Sequence, residues 1–332
     1  MAQNWTADAL VEVLRGHQPA CVLAAAVDFD VFGHLAVEPR TAAQMADLCG
    51  ADRRGMTALL NALVALELLE KRDEQFAAPP DVTALFNHAE RPGLLATLRH
   101  QANCLRRWAQ LSAVVQSGRP VPRSPSVRGA EADQAAFIEA MHWHSAPLAD
   151  RLVTVLRPLS FKHLLDVGGA TGTWTAALLR AVPEAVGTLF DLPAAMPLAR
   201  QRIVEEGLAE RVQLVAGDFY TDDLPGGVDF AWLGAIVHQN SRSQNRALFR
   251  KVYAALVPGG QVVLRDVVMD ASHTQPPAGA LFAINMLVAT EGGGTFSFEE
   301  LCADIEACGF RDPELLRHGQ FMDSLVRATK PV

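Results

Sequence analysis

The sequence lacks the apolar runs and the N-terminal signals that would place a chain in a membrane or direct it to one. No apolar run among the 332 residues reaches the roughly 20 residues that span a bilayer. The N-terminal stretch MAQNWTADALVEVLRGHQ has neither a basic segment nor a signal-like apolar core. We therefore expect a cytoplasmic protein with no membrane partner.

The cysteine spacing and the net charge each exclude a class of binding site. The five cysteines form no CxxC pair, which argues against a disulfide framework and against a structural metal. We expect no metal site, and we expect each cysteine to be a small buried residue. The net charge of −8 argues against a nucleic-acid partner, because phosphate binding relies on clustered Lys and Arg.

The pattern of apolar residues divides the chain into three parts. Residues 1–116 are typical of packed helices, and residues 117–133 are rich in Pro, Ser and Gly, as a linker is. A helical period resumes from 134, so we assign 117–156 as a linker with pocket-lining helices. From 157 to 332 short apolar strands alternate with helices, which predicts a parallel sheet covered on both faces, a doubly wound α/β fold.

The order of elements in the first part is that of a winged-helix module. Thr41 can cap a short helix that ends at Gly50, and Asp52 can cap a second helix running to about Leu69. The polar stretch EKRDEQFAA follows as a turn or wing. The many apolar residues of 1–116 exceed what one small domain would bury, so we predict a homodimer.

The stretch LLDVGGATGTW, which begins at Leu164, places glycines where the first strand turns into its helix. Glycine permits positive φ and a close approach to the backbone, and ligands of open α/β sheets bind beyond the carboxyl ends of the strands. The spacing is not the G-x-G-x-x-G of dinucleotide binders. A tight strand-to-helix turn with no ligand is the alternative.

Two further acids follow the next two strands. Asp191 ends the second strand, where an acid typically accepts hydrogen bonds from the hydroxyls of a ribose, although it could simply cap the strand. Asp218 and Phe219 follow the third strand and suit an adenine amino group and ring face, although an Asx turn is the alternative. Together with the glycine turn, they indicate an adenosine-containing cofactor that is held without a phosphate cradle.

These segments, with AIVHQN and ALVPGGQVVLRDVV, resemble the ordered motifs of class I S-adenosylmethionine-dependent O-methyltransferases of the caffeic-acid, acetylserotonin, hydroxyneurosporene and bacterial polyketide type. The resemblance covers nearly the whole chain. It implies a Rossmann-like sheet domain after an all-helical, winged-helix-like dimerisation domain. It also implies S-adenosylmethionine as the cofactor and the hydroxyl of an aromatic or polyketide-like small molecule as the acceptor.

By the same resemblance, each candidate site residue takes a role. His238 would be the general base that removes the hydroxyl proton, since an imidazole with a pKa near 6.5 suits that step, and Asp266 would orient it. Four residues would line the substrate pocket: Met141, Trp143, Asn285 and Met286. The residues expected to bind the cofactor are Asp166, Gly168, Gly169, Gly172, Asp191, Leu192, Gly217, Asp218 and Phe219.

The sequence departs from the family around the base. The family usually reads His-Asp-Trp or His-Asn-Trp, whereas here His238 is followed by Gln239 and Asn240. Thr295 stands in place of a second orienting acid, and Gly234 replaces a Lys or Arg four residues before the histidine. These changes bear on the base more than on cofactor binding.

Two other functions remain open at this stage. The same fold could bind the cofactor and carry out C-methylation, or non-methylating chemistry such as hydroxylation or decarboxylation, which the altered surroundings of His238 suggest. A winged-helix DNA-binding regulator is the remote alternative. It is disfavoured because Arg53 and Arg54 stand only at the start of a helix that is otherwise apolar on most faces.

Overall fold

The computed structural model describes residues 4–86 and 93–332. The chain forms two compact units, each made of two segments. The N-terminal unit comprises residues up to Ala109 together with Pro122–Trp143, and the C-terminal unit comprises Gln110–Val121 together with His144–Val332. This division is not the same as the continuous domains 1–116, 117–156 and 157–332, which stay a prediction.

The N-terminal unit is mainly helical. Its helices up to residue 108 are α1 (Ala7–Arg15), α2 (His17–Asp28), α3 (Val31–Leu35), α4 (Ala42–Cys49), α5 (Arg53–Ala65), α6 (Pro80–Leu85) and α7 (Leu94–Trp108). It also contains a three-stranded antiparallel sheet in the order β1-β3-β2, formed by β1 (Arg40–Thr41), β2 (Glu70–Arg72) and β3 (Gln75–Ala77). The expectation of an all-helical domain therefore leaves out a small sheet, because the polar segment after α5 pairs with the strand before α4.

The predicted start and end of α4 and the predicted start of α5 are confirmed, whereas α5 ends at Ala65 and not near Leu69. Thr41 and Gln44 form a capping box at the start of α4, and Gly50 ends that helix with a φ of +62°. The Asp52 side chain accepts a hydrogen bond from the amide of Gly55 and caps α5. The winged-helix interpretation of this order of elements stays a prediction.

Two helices follow, α8 (Leu111–Ser117) and α9 (Ala130–Val155). The other helices of the C-terminal unit are α10 (Thr173–Ala181), α11 (Met196–Glu205), α12 (Arg242–Ala255), α13 (Pro277–Ala289) and α14 (Phe298–Glu306). Its strands are β4 (His163–Val167), β5 (Val186–Asp191), β6 (Val212–Ala216), β7 (Val228–Gly234), β8 (Leu256–Asp266), β9 (Val268–Met269), β10 (Phe296–Ser297), β11 (Arg311–Arg317) and β12 (Ser324–Thr329).

Seven of these strands form one sheet in the order β11-β12-β8-β7-β4-β5-β6. The strands β4 to β8 are parallel to one another, and β12 and β11 join antiparallel at one edge. Strand β4 lies between β5 and β7, so the chain order reverses there, which is the switch point where open α/β sheets bind ligands. The predicted doubly wound sheet is confirmed.

Both faces of this sheet are buried in separate apolar cores. Along β8, Val262 and Leu264 pack into one core, and Val263 packs into the other. This alternation follows from the two-residue period of a strand, and it places Arg265 and Asp266, the last two residues of β8, on opposite faces.

Within the described ranges, no helix is long and apolar enough to cross a membrane.

Candidate active site

The three predicted cofactor segments lie side by side at the carboxyl edge of the sheet. Strand β5 is the parallel neighbour of both β4 and β6, with Val167 opposite Phe190 and Asp191 opposite Ala216. The residues that follow these strands are therefore adjacent, as expected for the carboxyl ends of successive parallel strands.

The glycine turn after β4 is required by the chain's own packing. Gly168 and Gly172 have φ values of +70° and +83°, which L side chains rarely adopt. A Cβ on Gly168 would collide with the side chain of Ile236, and one on Gly169 would come within 2.7 Å of Leu189. Backbone conformation and internal crowding therefore already call for glycine here, independently of any approach by a ligand.

Asp191, at the end of β5, joins the glycine turn to its own strand. One carboxylate oxygen accepts a hydrogen bond of 2.7 Å from the amide of Ala170, and the other accepts one of 2.6 Å from the amide of Leu192, whose side chain is exposed. Burial raises the pKa of Asp191, and the two amide donors oppose that shift. Because a carboxylate has about four acceptor positions, this one can still accept two hydroxyl donors, which fits a ribose.

Asp166 lies inside the fold. Its side chain is buried and accepts a hydrogen bond of 2.6 Å from the Thr175 hydroxyl, so it ties β4 to α10. Burial raises the pKa of Asp166 to about 7, and the charge of Asp191 adds to the shift. Asp166 was predicted to bind the cofactor, but its contacts in the structure are with residues of the protein interior.

The loop after β6 is held by a lysine that sequence reasoning missed. Asp218 accepts a hydrogen bond from the amide of Tyr220, so the Asx turn considered above is present. Lys251 on α12 donates to the carbonyls of Phe219, Tyr220 and Asp222 at 3.0, 3.2 and 2.7 Å. The Phe219 ring is partly buried against the core.

Gly217, at the start of this loop, is crowded by the neighbouring strand. A Cβ on Gly217 would lie 2.5 Å from the ring of Phe190. The roles predicted for Gly217, Asp218 and Phe219 toward an adenine stay predictions.

His238 lies in a short 3-10 turn after β7, and Asp266 at the end of β8 fixes it. The Nδ1 of His238 lies 2.9 and 3.1 Å from the two carboxylate oxygens of Asp266, which also accepts from the His238 amide at 3.2 Å. The amide of Val267 donates to the same carboxylate at 2.8 Å. An imidazole that donates from Nδ1 to this carboxylate keeps Nε2 as a proton acceptor.

A chain of side-chain hydrogen bonds holds the turn that carries His238, and the sequence did not predict its members. The Tyr220 hydroxyl donates to Asn240, Asn240 donates to Asn245, and Asn245 donates to the carbonyl of Val237. Asn240, one of the two unexpected residues after the histidine, is fully buried. It therefore links the loop after β6 to the turn that carries His238.

The segment in place of the family's second acid makes backbone contacts to the same turn. The Gly294 amide donates to the His238 carbonyl at 2.9 Å. Thr295 is buried, whereas Glu291, the nearest acid in sequence, is exposed. The structure thus brings no acid from these two positions to His238.

Helix α13 places an aromatic ring against His238. The rings of His238 and Phe282 meet edge to face at 4.9 Å, and Phe282 meets Phe321 in the same way at 5.3 Å. Asn285 and Met286 lie on the same helix, with Met286 buried and Asn285 partly buried. The signal for Phe282 was its position in the apolar segment 282–290, but sequence alone did not separate it from the neighbouring apolar residues.

Met141 and Trp143 lie partly buried in the part of α9 that belongs to the N-terminal unit. Their predicted contact with a substrate stays a prediction.

Among residues 4–86 and 93–332, no group of three or more His, Cys, Asp or Glu side chains could hold a metal ion.

Comparison with known proteins identifies the family. Residues 108–311 match the O-methyltransferase domain, and residues 11–90 match the O-methyltransferase dimerisation domain. The chain is 30% identical over 292 residues to 3-hydroxy-5-methyl-1-naphthoate 3-O-methyltransferase of Streptomyces sahachiroi, covering 85% of this chain and 84% of that one. It is 30% identical over 336 residues to the N,N-dimethyltransferase OxyT of Streptomyces rimosus, covering 98% and 97%.

The solved structure of PigF with S-adenosylhomocysteine superposes with a TM-score of 0.84 at 25% identity, covering 98% of this chain and all of that one. The fold, the sequence motifs and both domain matches agree. This chain therefore belongs to the O-methyltransferase family, and S-adenosylmethionine is its cofactor.

Proposed function

We propose that this enzyme transfers a methyl group from S-adenosylmethionine to a hydroxyl of an aromatic or polyketide-like small molecule, with His238 as the general base. The observation that carries the proposal is the contact between Nδ1 of His238 and the buried carboxylate of Asp266. This contact orients the imidazole so that the N–H at Nδ1 donates to the carboxylate, and Nε2 is left as the basic atom.

The proton transfer follows from this orientation. Nε2 accepts the proton of the substrate hydroxyl, and the negative charge of Asp266 stabilises the imidazolium that forms. When bound, S-adenosylmethionine supplies a methyl group that is electrophilic because its sulfur is positively charged. The network through Asn240 and Asn245 keeps the His238 turn in place, so that positioning contributes to the rate.

The residues around the carboxyl ends of β4, β5 and β6 would hold the cofactor. Asp191 has acceptor positions left for the ribose hydroxyls, beside the exposed Leu192. Asp218 and Phe219 would contact the adenine, and Gly168 with its neighbours would lie against the methionine part. Of the predicted set, Asp166 would act through the turn that it supports, since its own carboxyl is hydrogen bonded internally.

The apolar side chains near the base favour an aromatic acceptor. Phe282 contacts the His238 ring edge to face, and Met286 lies four residues further along the same helix. The naphthoate named for the Streptomyces sahachiroi relative is an aromatic acceptor. With Asn285, Met141 and Trp143, these residues are the proposed substrate contacts.

Methyl-labelled S-adenosylmethionine tests the proposal when the enzyme is incubated with a panel of phenols and naphthols. We expect label on oxygen with wild type, and a rate lower by about 10²–10⁴ with His238→Gln, while S-adenosylhomocysteine binds both proteins equally. The panel includes amines and carbon acceptors, because OxyT is named for transfer to nitrogen. Label only on nitrogen or carbon, or a converted substrate without label, would reject the oxygen assignment and favour the alternative chemistry.

We also infer that the enzyme is a homodimer. Helix α1 has no buried residue, although Leu10, Val11, Val13 and Leu14 on it are apolar and exposed. Part of this helix lies within the matched dimerisation domain, and exposed apolar faces of this kind mark interaction surfaces. Light scattering of the pure protein should give twice the chain mass. Leu10→Glu combined with Leu14→Glu should shift it toward the chain mass.

A further inference from the structure

Arg265 is a buried guanidinium that forms no ion pair with any of the described residues. It is the penultimate residue of β8 and is 4% exposed. Its guanidinium carbon lies 4.7 Å from the ring centre of Trp174, and its Nε has no hydrogen-bond partner among the described residues. A buried charge is costly unless it is paired, so such a group calls for an acceptor.

A second buried donor without a partner lies beside it. Trp232 is fully buried, and its Nε1 has no hydrogen-bond partner within the described parts of the chain. A Cβ on Gly234 would come within 2.6 Å of that Nε1, so the indole N–H lies over Gly234. Gly234 is the residue of β7 that pairs with Arg265. Paired residues of neighbouring strands face the same side, so both donors lie together at the carboxyl edge of one face of the sheet.

The two acids whose charges act on Arg265, Asp266 and Asp323, are hydrogen bonded to other groups. Asp266 accepts from His238 and from Val267, as described above. Asp323 accepts from Arg317 at 2.7 Å and from the amide of Phe321 at 3.2 Å. Burial lowers the pKa of Arg265 to about 10, and the charges of Asp266 and Asp323 only partly oppose that shift. The guanidinium therefore stays charged at neutral pH.

The position of the two donors relates them to the active site. Trp174, which stacks on Arg265, is the second residue of α10 and follows the glycine turn directly. Ile236, which contacts Gly168 of that turn, comes two residues after Gly234 and two before His238. The donors thus lie next to the start of α10, which follows the glycine turn, and next to the end of β7, which leads into the turn that carries His238.

We propose that Arg265 and the indole N–H of Trp232 form a carboxylate-binding site. A planar carboxylate suits a guanidinium together with a neighbouring N–H donor, because each of its two oxygens can accept a charge-assisted hydrogen bond. The carboxylate belongs either to the methionine part of S-adenosylmethionine or to the acceptor substrate. The site rests on the assigned cofactor and reaction, but it does not require proton transfer by His238.

Calorimetry with S-adenosylhomocysteine and with its analogue lacking the carboxylate tests the cofactor source. We expect Arg265→Gln to bind S-adenosylhomocysteine about 10- to 100-fold more weakly, which is what the loss of a hydrogen bond to a charged group predicts. Trp232→Phe, which removes the N–H together with part of the ring volume, should bind it several-fold more weakly. The carboxylate-free analogue should bind wild type and both variants alike.

Arg211→Gln is the matched control, because the hydrogen bonds that the partly buried Arg211 makes to the described residues all go to the carbonyls of Leu179, Val182 and Ala185. It should lose stability and keep its affinity for S-adenosylhomocysteine. If Arg265→Gln does not fold, Trp232→Phe and the comparison of the two ligands on wild type still decide the question.

The acceptor source is tested by titrating 3-hydroxybenzoate and the neutral 3-hydroxybenzyl alcohol into enzyme saturated with S-adenosylhomocysteine. Preference of wild type for the benzoate, lost in Arg265→Gln, would assign the site to the substrate. Folded Arg265→Gln and Trp232→Phe that keep wild-type affinity for S-adenosylhomocysteine and for 3-hydroxybenzoate would overturn the proposal. Failure of His238→Gln to lose activity would reject the base and leave these binding results unaffected.

Discussion

The Nδ1 of His238 and the Oδ1 of Asp266 are 2.9 Å apart, although the residues are 28 positions apart in sequence. Strands β7 and β8 are parallel neighbours, so their carboxyl ends bring the two side chains to the same edge of the sheet. The Val267 amide fixes the carboxylate in turn. The pair is therefore held by two neighbouring strands of the sheet.

Asp266→Asn should lower kcat strongly with little change in affinity for S-adenosylhomocysteine. An asparagine can still contact His238, but it carries no charge to stabilise the imidazolium, so we expect a fall of about 10²-fold or more. Steady-state kinetics with any acceptor found in the phenol panel measures this. A variant with wild-type kcat would remove Asp266 from the proton transfer and restrict it to a packing role.

Gly168→Ala should weaken both the fold and cofactor binding. The new Cβ meets a φ of +70° and the side chain of Ile236, which lies next to the His238 turn. Gly207→Ala is the matched control, because Gly207 has a φ of +68° but open space around it. Both variants should lose about 1–2 kcal/mol of unfolding free energy from backbone strain. Only Gly168→Ala should also bind S-adenosylhomocysteine more weakly by calorimetry, and equal affinities in the two variants would contradict this.

Lys251→Met should loosen the loop after β6 and reduce affinity for the cofactor. The lysine holds three carbonyls of that loop, and each loses a charged donor. We expect a loss of about 1–3 kcal/mol of unfolding free energy and about tenfold weaker binding of S-adenosylhomocysteine.

Lys330→Met provides the comparison for this variant. Lys330 also donates to two backbone carbonyls, those of Tyr253 and Leu256, and neither belongs to the predicted cofactor segments. It should lose similar stability in urea unfolding and bind S-adenosylhomocysteine as wild type does. If both lysine variants bind the ligand with unchanged affinity, the loop after β6 does not contribute to the cofactor site.

The parallel strands β4, β5, β7 and β8 could be predicted because they form short apolar runs that are buried on both faces of the sheet. Strand β11 was missed because its sequence, RDPELLR, is polar and contains a proline. It lies at the edge of the sheet, with irregular register against β12, and none of its seven residues is buried. Edge strands of this kind carry no apolar signal, and only the tertiary structure shows the pairing.

Only some of the side chains of the candidate site could be predicted from the sequence. Asp191 and His238 could be selected because each follows a recognisable strand within a family motif. Asn240 and Lys251 could not, because their partners are a tyrosine hydroxyl and backbone carbonyls that lie 20 or more residues away. Arg265 lies within a motif of the family, but its sequence position did not show that it is buried beside Trp174 and Trp232 with no ion pair to any described residue.

Asp166 should make the stability of the fold fall as the pH rises toward neutrality. Its pKa is raised by burial from 3.8 to about 7, so the folded chain keeps a proton that the unfolded chain releases above about pH 4. The folded state binds more protons than the unfolded state between about pH 4 and 7, and the free energy of unfolding therefore decreases across that window. Above about pH 7 both states are ionised, and this contribution stays constant.

Asp166→Asn removes the titrating group and keeps an oxygen that can accept from Thr175. Relative to wild type, the variant should gain a few kcal/mol of unfolding free energy between pH 4.5 and 8, since one unit of pKa shift corresponds to about 1.4 kcal/mol. Urea unfolding at several pH values measures the difference. Thr175→Val retains the carboxyl and should retain the pH dependence. Parallel curves for wild type and Asp166→Asn would mean that the carboxyl ionises in the folded chain at its ordinary pKa.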